Sequence, residues 1–163
     1  DLGQLELKVS GEADINAELT ALVKIYRQSL FLTHDISCEL KLDAALPILA
    51  LNCNLVKQVL TNLIKNAAEA MTEGGFIVLS SSDKINQNGR EYVEIKIIDN
   101  GPGLPEAVSD NLFAPVVTAK GRGHSGLGLS ICKRLINELG GSIAYRRGAS
   151  KTEFKILLPR KVK

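Results

Sequence analysis

Two asparagines lie one turn apart on a long amphipathic helix that the sequence predicts over about residues 52–71. Apolar residues recur there at spacings of three and four, the period of a helix with one buried face. Asn62 and Asn66 share one face of this helix, with their Cβ atoms about 5–6 Å apart. Because asparagine is a mediocre helix former, the pair indicates amides with partners outside the helix. A site for Mg²⁺, which binds amide oxygens, and a pair of solvated or capping asparagines are the two interpretations.

The remaining patterns predict a mixed order of helices and strands. Asp14 is the expected N-cap of a helix whose apolar stripe ends at Leu30. A polar stretch over Asp83–Arg90, with Asn88-Gly89 as its turn signal, is expected to connect two strands. The predicted strands are Ile36–Leu42, Phe76–Ser82, Tyr92–Ile98, Ser142–Arg147 and Thr152–Leu158, and further helices are predicted at about Glu106–Leu112 and at Leu129–Leu139. Such an order favours one sheet covered on one face by helices.

Composition points away from several classes of function. The 163 residues carry a net charge of +2, which is too small to suggest a nucleic-acid or polyanion binder. No apolar run reaches the ~18 residues that suggest a membrane-spanning helix, and no secretory leader is visible. Cys38, Cys53 and Cys132 are far apart without metal-ligand spacing, so we expect buried, reduced thiols in one cytoplasmic domain.

Two glycine-containing loops have residues suited to nucleotide chemistry. Asp99 ends an apolar strand and begins Asp-Asn-Gly-Pro-Gly, where a carboxylate can accept a hydrogen bond from an exocyclic amine and glycines allow close approach. A plain tight turn is the alternative, because these residues favour turns. Residues 121–128 lead into a helix whose N-terminus suits an anion, although the Gly-Lys-Ser/Thr of a P-loop is missing. A merely flexible loop is the alternative there.

Three features closely resemble, together and in this order, the ATP-binding catalytic domain of sensor histidine kinases. They are the helix with Asn62 and Asn66, the loop that begins at Asp99, and the glycine-rich residues 121–128. The resemblance runs from about Asp14 to Pro159, and the Asn-Ala-Ala-Glu-Ala ending of the helix is similar to the nitrogen-regulation and dicarboxylate-sensor branch. It implies a Bergerat-type two-layer α/β (α+β) sandwich, with a mixed, mainly antiparallel five-stranded sheet packed on about three helices. Residues 1–13 are then a lead-in or edge strand, 14–159 the catalytic domain and 160–163 a basic tail.

The resemblance also implies roles for individual residues. Asn66 corresponds to the Mg²⁺ ligand, Asn62 to its neighbour toward the phosphates, and Asp99 to the reader of the adenine amino group, with Thr152 nearby. Lys65 and Lys120 are candidate charge partners of the phosphates, and the alternative is that both are ordinary solvated lysines. The ATP site that results comprises Asn62, Lys65, Asn66, Asp99, Gly101, Gly103, Lys120, Gly123, Ser125, Gly126, Leu127, Gly128, Leu129 and Thr152, with Asn62 and Asn66 as the catalytic pair.

The chain departs from the family pattern in two ways. Residues 112–120 resemble the phenylalanine box, which opens the mobile lid of this family. Val116 and Val117 stand where that box usually has two aromatic residues, and this change removes packing area. The phosphoacceptor histidine is also missing, because His34 lacks the following proline and lies too close to Asn66 for a helical hairpin to intervene. His124 is expected to be an exposed lid side chain, with a phosphate contact as the alternative.

The identity of residue 62 discriminates among the reactions of the superfamily. Its ATPases have a glutamate four residues before the Mg²⁺ asparagine as the general base for water, whereas the amide of Asn62 cannot take a proton near neutral pH. This disfavours hydrolysis to water and is compatible with phosphoryl transfer to an imidazole.

The resulting functional prediction is a two-component signalling kinase. The domain is expected to bind ATP·Mg²⁺ and to donate the γ-phosphoryl to a histidine on a separate dimerisation domain of the same kinase, from which it passes to a response regulator. The alternative is a degenerate nucleotide-binding regulatory module without kinase activity. The isolated domain is expected to be monomeric and to contact neither nucleic acid nor membrane.

Overall fold

The computed structural model describes residues 11–104 and 126–163. The predicted order of helices and strands is confirmed within these ranges, whereas residues 1–10 and the helix predicted near residue 106 lie outside them. In chain order the elements are α1 (Ile15–Arg27), α2 (Leu30–Thr33), β1 (Ile36–Lys41), α3 (Cys53–Ala70), β2 (Gly75–Gln87), β3 (Arg90–Asp99), α4 (Gly126–Glu138), β4 (Ser142–Arg147) and β5 (Thr152–Pro159).

The five strands form one sheet in the order β1-β2-β3-β5-β4. β1 and β2 are parallel, and α3 supplies the crossover that a parallel pair requires. The other three pairs are antiparallel, which confirms the predicted mixed, mainly antiparallel sheet. In the β3–β5 register, Asp99 lies opposite Thr152, so two residues that are distant in the sequence meet at one end of the sheet.

The hydrophobic core lies between the helices and one face of the sheet. The opposite face carries ion pairs, in which Lys96 lies 3.8 Å from Glu94 and 3.9 Å from Glu153. This division into an apolar and a charged face confirms the predicted two-layer arrangement. The buried apolar side chains include Ile15, Leu19 and Val23 of α1, Val56, Val59, Leu60, Leu63 and Ile64 of α3, Cys132, Leu135 and Ile136 of α4, and Ile77, Leu79, Val93, Ile95, Ile97, Ile143, Phe154, Ile156 and Leu158 of the strands.

The connection between β2 and β3 is shorter than predicted. The expected polar loop over Asp83–Arg90 is wrong in extent, because pairing continues to Gln87 and leaves only Asn88-Gly89 as the turn. Both turn residues have positive φ, +54° and +80°, as a two-residue hairpin turn requires. Most side chains near the tip of the hairpin are exposed, so the alternation of apolar and polar residues that marks a half-buried strand is lost there.

Both long N-terminal helices begin at a side-chain cap. Asp14 accepts a hydrogen bond from the Ala17 amide at 3.0 Å, as predicted. Asn52 accepts from the amides of Asn54 and Leu55 at 2.9 and 3.2 Å. α1 ends at Arg27, so the apolar stripe that was predicted to reach Leu30 is divided between α1 and α2.

Replacing Asn52 by alanine is expected to destabilise the protein by about 1 kcal/mol, since two amides of the first turn of α3 lose their acceptor. For a domain of this size that corresponds to a Tm lower by about 2–4 °C, measured by thermal unfolding. The control is Asn54→Ala, which removes an exposed amide from the same helix. Equal effects of the two substitutions would contradict the assignment of the cap to Asn52.

The C-terminal residues are joined to the domain by hydrogen bonds. Val162 forms a β-bridge with Leu49, which also bridges Ala13. Arg160 pairs with Asp83 at 2.8 Å. The segment 160–163, predicted as a basic tail, therefore lies against residues 48–50 and the middle of the β2–β3 hairpin. None of the helices in the described parts of the chain combines the length and the hydropathy of a membrane-spanning segment.

All three cysteines are free thiols. Cys132 is buried, as predicted, whereas Cys38 and Cys53 are only half-buried. Cys38 lies on β1, which is the edge strand of the sheet, and Cys53 lies at the first position of α3. Both positions are at the margin of the core, so the prediction of full burial is wrong for these two residues.

Candidate functional site

A pocket opens between α3, α4 and the ends of β3, β4 and β5. It encloses about 510 Å³ of space, part of which is open to solvent. Most of its wall is apolar, and the polar side chains are few, as is usual where a ring system is bound and oriented. The lining residues are Asn66, Ala67, Ala70, Asp99, Gly103, Leu104, Leu129, Tyr145, Thr152 and Phe154.

The carboxylate of Asp99 is the buried acidic group of this pocket, with 6% of the residue exposed. It accepts a hydrogen bond from the Gly101 amide at 2.8 Å and another from the Thr152 side chain. Burial raises its pKa above the ordinary value, although both hydrogen bonds and the nearby charge of Arg147 oppose the shift. A buried acceptor at the end of an apolar pocket is suited to an amine on a flat aromatic ligand.

Asn66 lies on the opposite wall and faces the first turn of α4. A Cβ placed on Gly128 would lie 3.9 Å from Asn66 Nδ2, so the amide and that turn are neighbours. No hydrogen bond joins the Asn66 side chain to another described residue, which leaves its oxygen available to a ligand. The N-terminal turn of a helix favours anions through its amide groups and dipole. The two ends of the pocket therefore differ, with a carboxylate at one and an anion-favouring turn at the other.

Mg²⁺ is compatible with this second end of the pocket. Within residues 11–104 and 126–163 no group of three histidine, cysteine or acidic side chains is placed to hold a metal ion. A single amide oxygen from Asn66 is nevertheless sufficient where phosphate oxygens and water complete the shell, which is the usual way in which Mg²⁺ is bound with nucleotides.

Asn62 occupies a different environment from Asn66. Its Nδ2 donates to Cys132 Sγ at 3.9 Å, across the contact between α3 and α4. Burial raises the pKa of the Cys132 thiol to about 11, so the sulfur is protonated near neutral pH. Asn62 is half-buried between the two helices and is not one of the pocket-lining residues.

The other predicted site residues are distributed as follows. Gly103, Leu129 and Thr152 line the pocket, and Gly101 contacts Asp99 through its amide. Lys65 is exposed and is not part of the lining. The backbone of Gly126, Leu127 and Gly128 forms the first turn of α4, which begins earlier than the predicted Leu129. Lys120, Gly123 and Ser125, and also Val116, Val117 and His124, lie outside the described residues.

Sequence reasoning missed several lining residues, of which Tyr145 and Phe154 are the largest. Their ring centroids are 5.0 Å apart. Phe154 follows Thr152 by two residues on β5, and Tyr145 pairs with Phe154 on β4, so strand alternation places all three side chains on one face. That alternation was the available signal. The apolar wall also includes Ala67 and Ala70, which lie beside Asn66 on α3, and Leu104.

Comparison with known proteins gives one family. Residues 52–162 match the model of the histidine kinase-, DNA gyrase B- and HSP90-like ATPases. The chain is 38% identical over 123 residues to the sensory histidine kinase/phosphatase NtrB of Escherichia coli O157:H7. The aligned region covers 72% of this chain and 35% of that protein. The chain thus spans about a third of the length of this curated relative.

Solved structures give the same result. The nucleotide-free catalytic domain of histidine kinase ThkA is 28% identical, with a TM-score of 0.78 over 92% of this chain and 95% of that one. The structure of ThkA in complex with the response regulator protein TrrA is 25% identical, with a TM-score of 0.73 over 92% of this chain and 41% of that one. The predicted Bergerat-type sandwich is confirmed by these likenesses.

Proposed function

Because the chain belongs to the family of histidine kinase-, DNA gyrase B- and HSP90-like ATPases, we propose that its pocket binds ATP·Mg²⁺ and donates the γ-phosphoryl to a histidine on a separate dimerisation domain. The observation that carries this proposal is the buried Asp99 carboxylate, bonded to Thr152 at the end of an apolar pocket whose opposite wall holds Asn66. A purine and a triphosphate need these two kinds of environment.

The base end of the pocket is formed by Asp99 and the apolar wall. The carboxylate accepts a hydrogen bond from the amino group of adenine, while Leu104, Tyr145 and Phe154 contact the ring. Guanine presents a carbonyl oxygen at the corresponding position, so two acceptors would face each other without a proton between them. Selectivity for adenine over guanine follows from this mismatch, since a buried acceptor left unpaired costs about 1–3 kcal/mol.

The phosphate end is formed by Asn66 and the first turn of α4. Asn66 supplies an oxygen ligand to Mg²⁺, and the amides of Gly126, Leu127 and Gly128 favour phosphate oxygens. By resemblance to the family, we propose that Lys65 and Lys120 are charge partners of the phosphates. Gly123 and Ser125 are proposed as further phosphate contacts on the same basis. When bound, Mg²⁺ neutralises the charge that develops on the phosphates during transfer.

The reaction type follows from residue 62. The side-chain amide of Asn62 is neutral, donates a hydrogen bond to the Cys132 thiol and has no useful basicity. It therefore does not activate water. An imidazole attacks the γ-phosphorus through its own nitrogen lone pair, while the bond from the γ-phosphorus to the β–γ bridging oxygen breaks and ADP leaves with that electron pair. The acceptor domain provides any base that takes the imidazole proton. We therefore propose that the acceptor is a histidine of the same kinase and place the reaction in the cytoplasm, where ATP is abundant.

A response regulator is the proposed final recipient of the phosphoryl group. The ThkA structure, which includes the response regulator TrrA, and the histidine kinase name of the NtrB relative support this step. The complete kinase would then contain a phosphoacceptor domain in addition to this chain.

A degenerate module that uses the pocket only for regulation is the second candidate. The observation in its favour is the pair Val116-Val117, where the family usually has aromatic residues. Such a module would bind ATP through the same residues without labelling a histidine.

The binding step is tested by calorimetric titration of the full chain with a non-hydrolysable ATP analogue, with and without Mg²⁺. We expect binding that strengthens when Mg²⁺ is present, and at least about tenfold weaker binding of the matching GTP analogue. No heat of binding at millimolar analogue would contradict the assignment of the pocket. Equal affinity for the two analogues would contradict the role of Asp99.

A further inference from the structure

The edge strand β4 contacts the loop that follows Asp99. Strand register places Tyr145 opposite Phe154 and Arg147 opposite Thr152, on the face that forms the pocket. Arg146 lies opposite Glu153 on the other face, with an ion pair of 3.5 Å to it. Two alternate side chains of one strand therefore reach the pocket side, and the residue between them does not.

Both of these side chains bond to the backbone of the loop. The Leu104 amide donates to the hydroxyl of Tyr145 at 3.0 Å. Nη1 of Arg147 donates to the carbonyl oxygen of Pro102. The two bonds hold the residues on either side of Gly103, and both come from a strand that is more than forty positions away in the sequence.

Gly103 is closely surrounded between these two bonds. Its φ is +76°, which favours glycine. A Cβ at this position would collide with Nη1 of Arg147 and would lie 2.9 Å from Thr152 Cγ2 and 3.0 Å from the Tyr145 hydroxyl. The loop backbone is thus in direct contact with β4 and β5.

The contacts matter because the same loop segment forms part of the pocket wall. Gly103 and Leu104 line the pocket, as does the Tyr145 ring, which packs on Phe154 at 5.0 Å. A loop that is already held in its binding shape loses less conformational entropy when a ligand is bound. We infer that Tyr145 and Arg147 are positioning residues for nucleotide binding, which fix the Pro102–Leu104 backbone in the shape that receives the base.

This inference rests on the proposed function, because the ligand that benefits is the nucleotide. Neither residue is required to react with it. Arg147 also places a positive charge near Asp99, so a purely electrostatic role is the competing account. Tyr145 separates the two accounts, since its hydroxyl is uncharged and bonds only to the loop among the described residues.

The test compares Tyr145→Phe and Arg147→Met with Arg146→Met as the matched control. Tyr145→Phe keeps the ring on Phe154 and removes only the hydroxyl, whereas Arg147→Met removes the guanidinium bond together with the charge near Asp99. Each loses one net hydrogen bond, so we expect the Kd of the ATP analogue to rise about 3–10-fold in both variants. The control should bind as the parent does, and the Tm of each pocket-side variant should fall by no more than about 2–4 °C.

A second readout is independent of nucleotide. Hydrogen exchange of the Leu104 amide, measured by NMR on the full chain without ligand, should accelerate about 3–10-fold in Tyr145→Phe and not in Arg146→Met. Unchanged exchange, or an unchanged Kd in Tyr145→Phe, would overturn the inference, and a Kd that changes only in Arg147→Met would favour the electrostatic account. Failure of the parent protein to bind the analogue would instead overturn the proposed function and this inference with it.

Discussion

Asp99→Asn is expected to weaken binding of an ATP analogue by about 10–100-fold while leaving the Tm unchanged or higher. The carboxylate already accepts hydrogen bonds from the Gly101 amide and Thr152, and the adenine amino group adds a third donor. Asparagine has the same shape and keeps one oxygen for the Gly101 amide, and the Thr152 hydroxyl can accept from its NH₂ group. The adenine amino group, however, then meets a donor instead of an acceptor. A hydrogen bond to a charged group contributes about 1.5–3 kcal/mol, and each 1.4 kcal/mol is a factor of ten in Kd.

The effect on stability has the opposite sign because burial raises the pKa of Asp99 in the folded protein. The folded state therefore favours the protonated carboxyl more than the unfolded state does. Its contribution to stability is fully present below the unfolded pKa and is lost as the pH rises through the folded pKa. At neutral pH the native protein thus contains a carboxylate that burial disfavours, and the neutral asparagine removes this cost.

Calorimetric titration and thermal unfolding of the variant measure the two effects. The control is Asp35→Asn, since Asp35 is exposed, lies outside the pocket and has a positive φ that asparagine tolerates. Binding by Asp99→Asn equal to that of the parent would show that Asp99 does not recognise the base. A large fall in its Tm would show that the carboxylate is mainly structural.

Asn66→Ala is expected to lower the rate of phosphoryl transfer by about 100-fold, or about 2.7 kcal/mol of transition-state stabilisation. The variant loses the oxygen that we assign to Mg²⁺ on the wall of the pocket. Alanine is the best helix former, so α3 should be as stable as before or more so. The loss of activity is then separable from unfolding.

The Asn66→Ala variant should also need a higher concentration of Mg²⁺ than the parent to reach its maximal rate of phosphoryl transfer. Labelled ATP and a Mg²⁺ series measure this dependence, with Asn54→Ala as the control on an exposed position of the same helix. An Asn66→Ala protein with the parent's rate and the parent's Mg²⁺ dependence would remove Asn66 from the metal site.

Much of the fold was predictable because its signals are local. The stripe of α3, the cap at Asp14 and the alternation of β5 each depend on residues a few positions apart. The proximity of Asp99 and Thr152 was also predicted, although only from the resemblance to a family, because strand register cannot be derived from a single sequence.

The features that sequence reasoning missed depend on contacts between distant segments. The extension of β2 to Gln87 is set by pairing with β3 in a region where most side chains are exposed, so no apolar alternation marks it. The bonds from Tyr145 and Arg147 to the Pro102–Leu104 backbone join the edge strand to a loop that is remote in sequence. Neither residue has a local pattern that reveals its partner.

The most direct test of the central claim is to follow the γ-phosphate of labelled ATP after mixing the chain with the histidine phosphoacceptor domain of its own kinase. We predict label on the acceptor histidine, transfer that requires Mg²⁺, and little release of free phosphate when the acceptor is omitted. Free phosphate formed at the same rate with and without the acceptor would make the protein a hydrolysing ATPase and contradict the assignment based on Asn62. Tight ATP binding with no label on the histidine would identify the degenerate regulatory module instead.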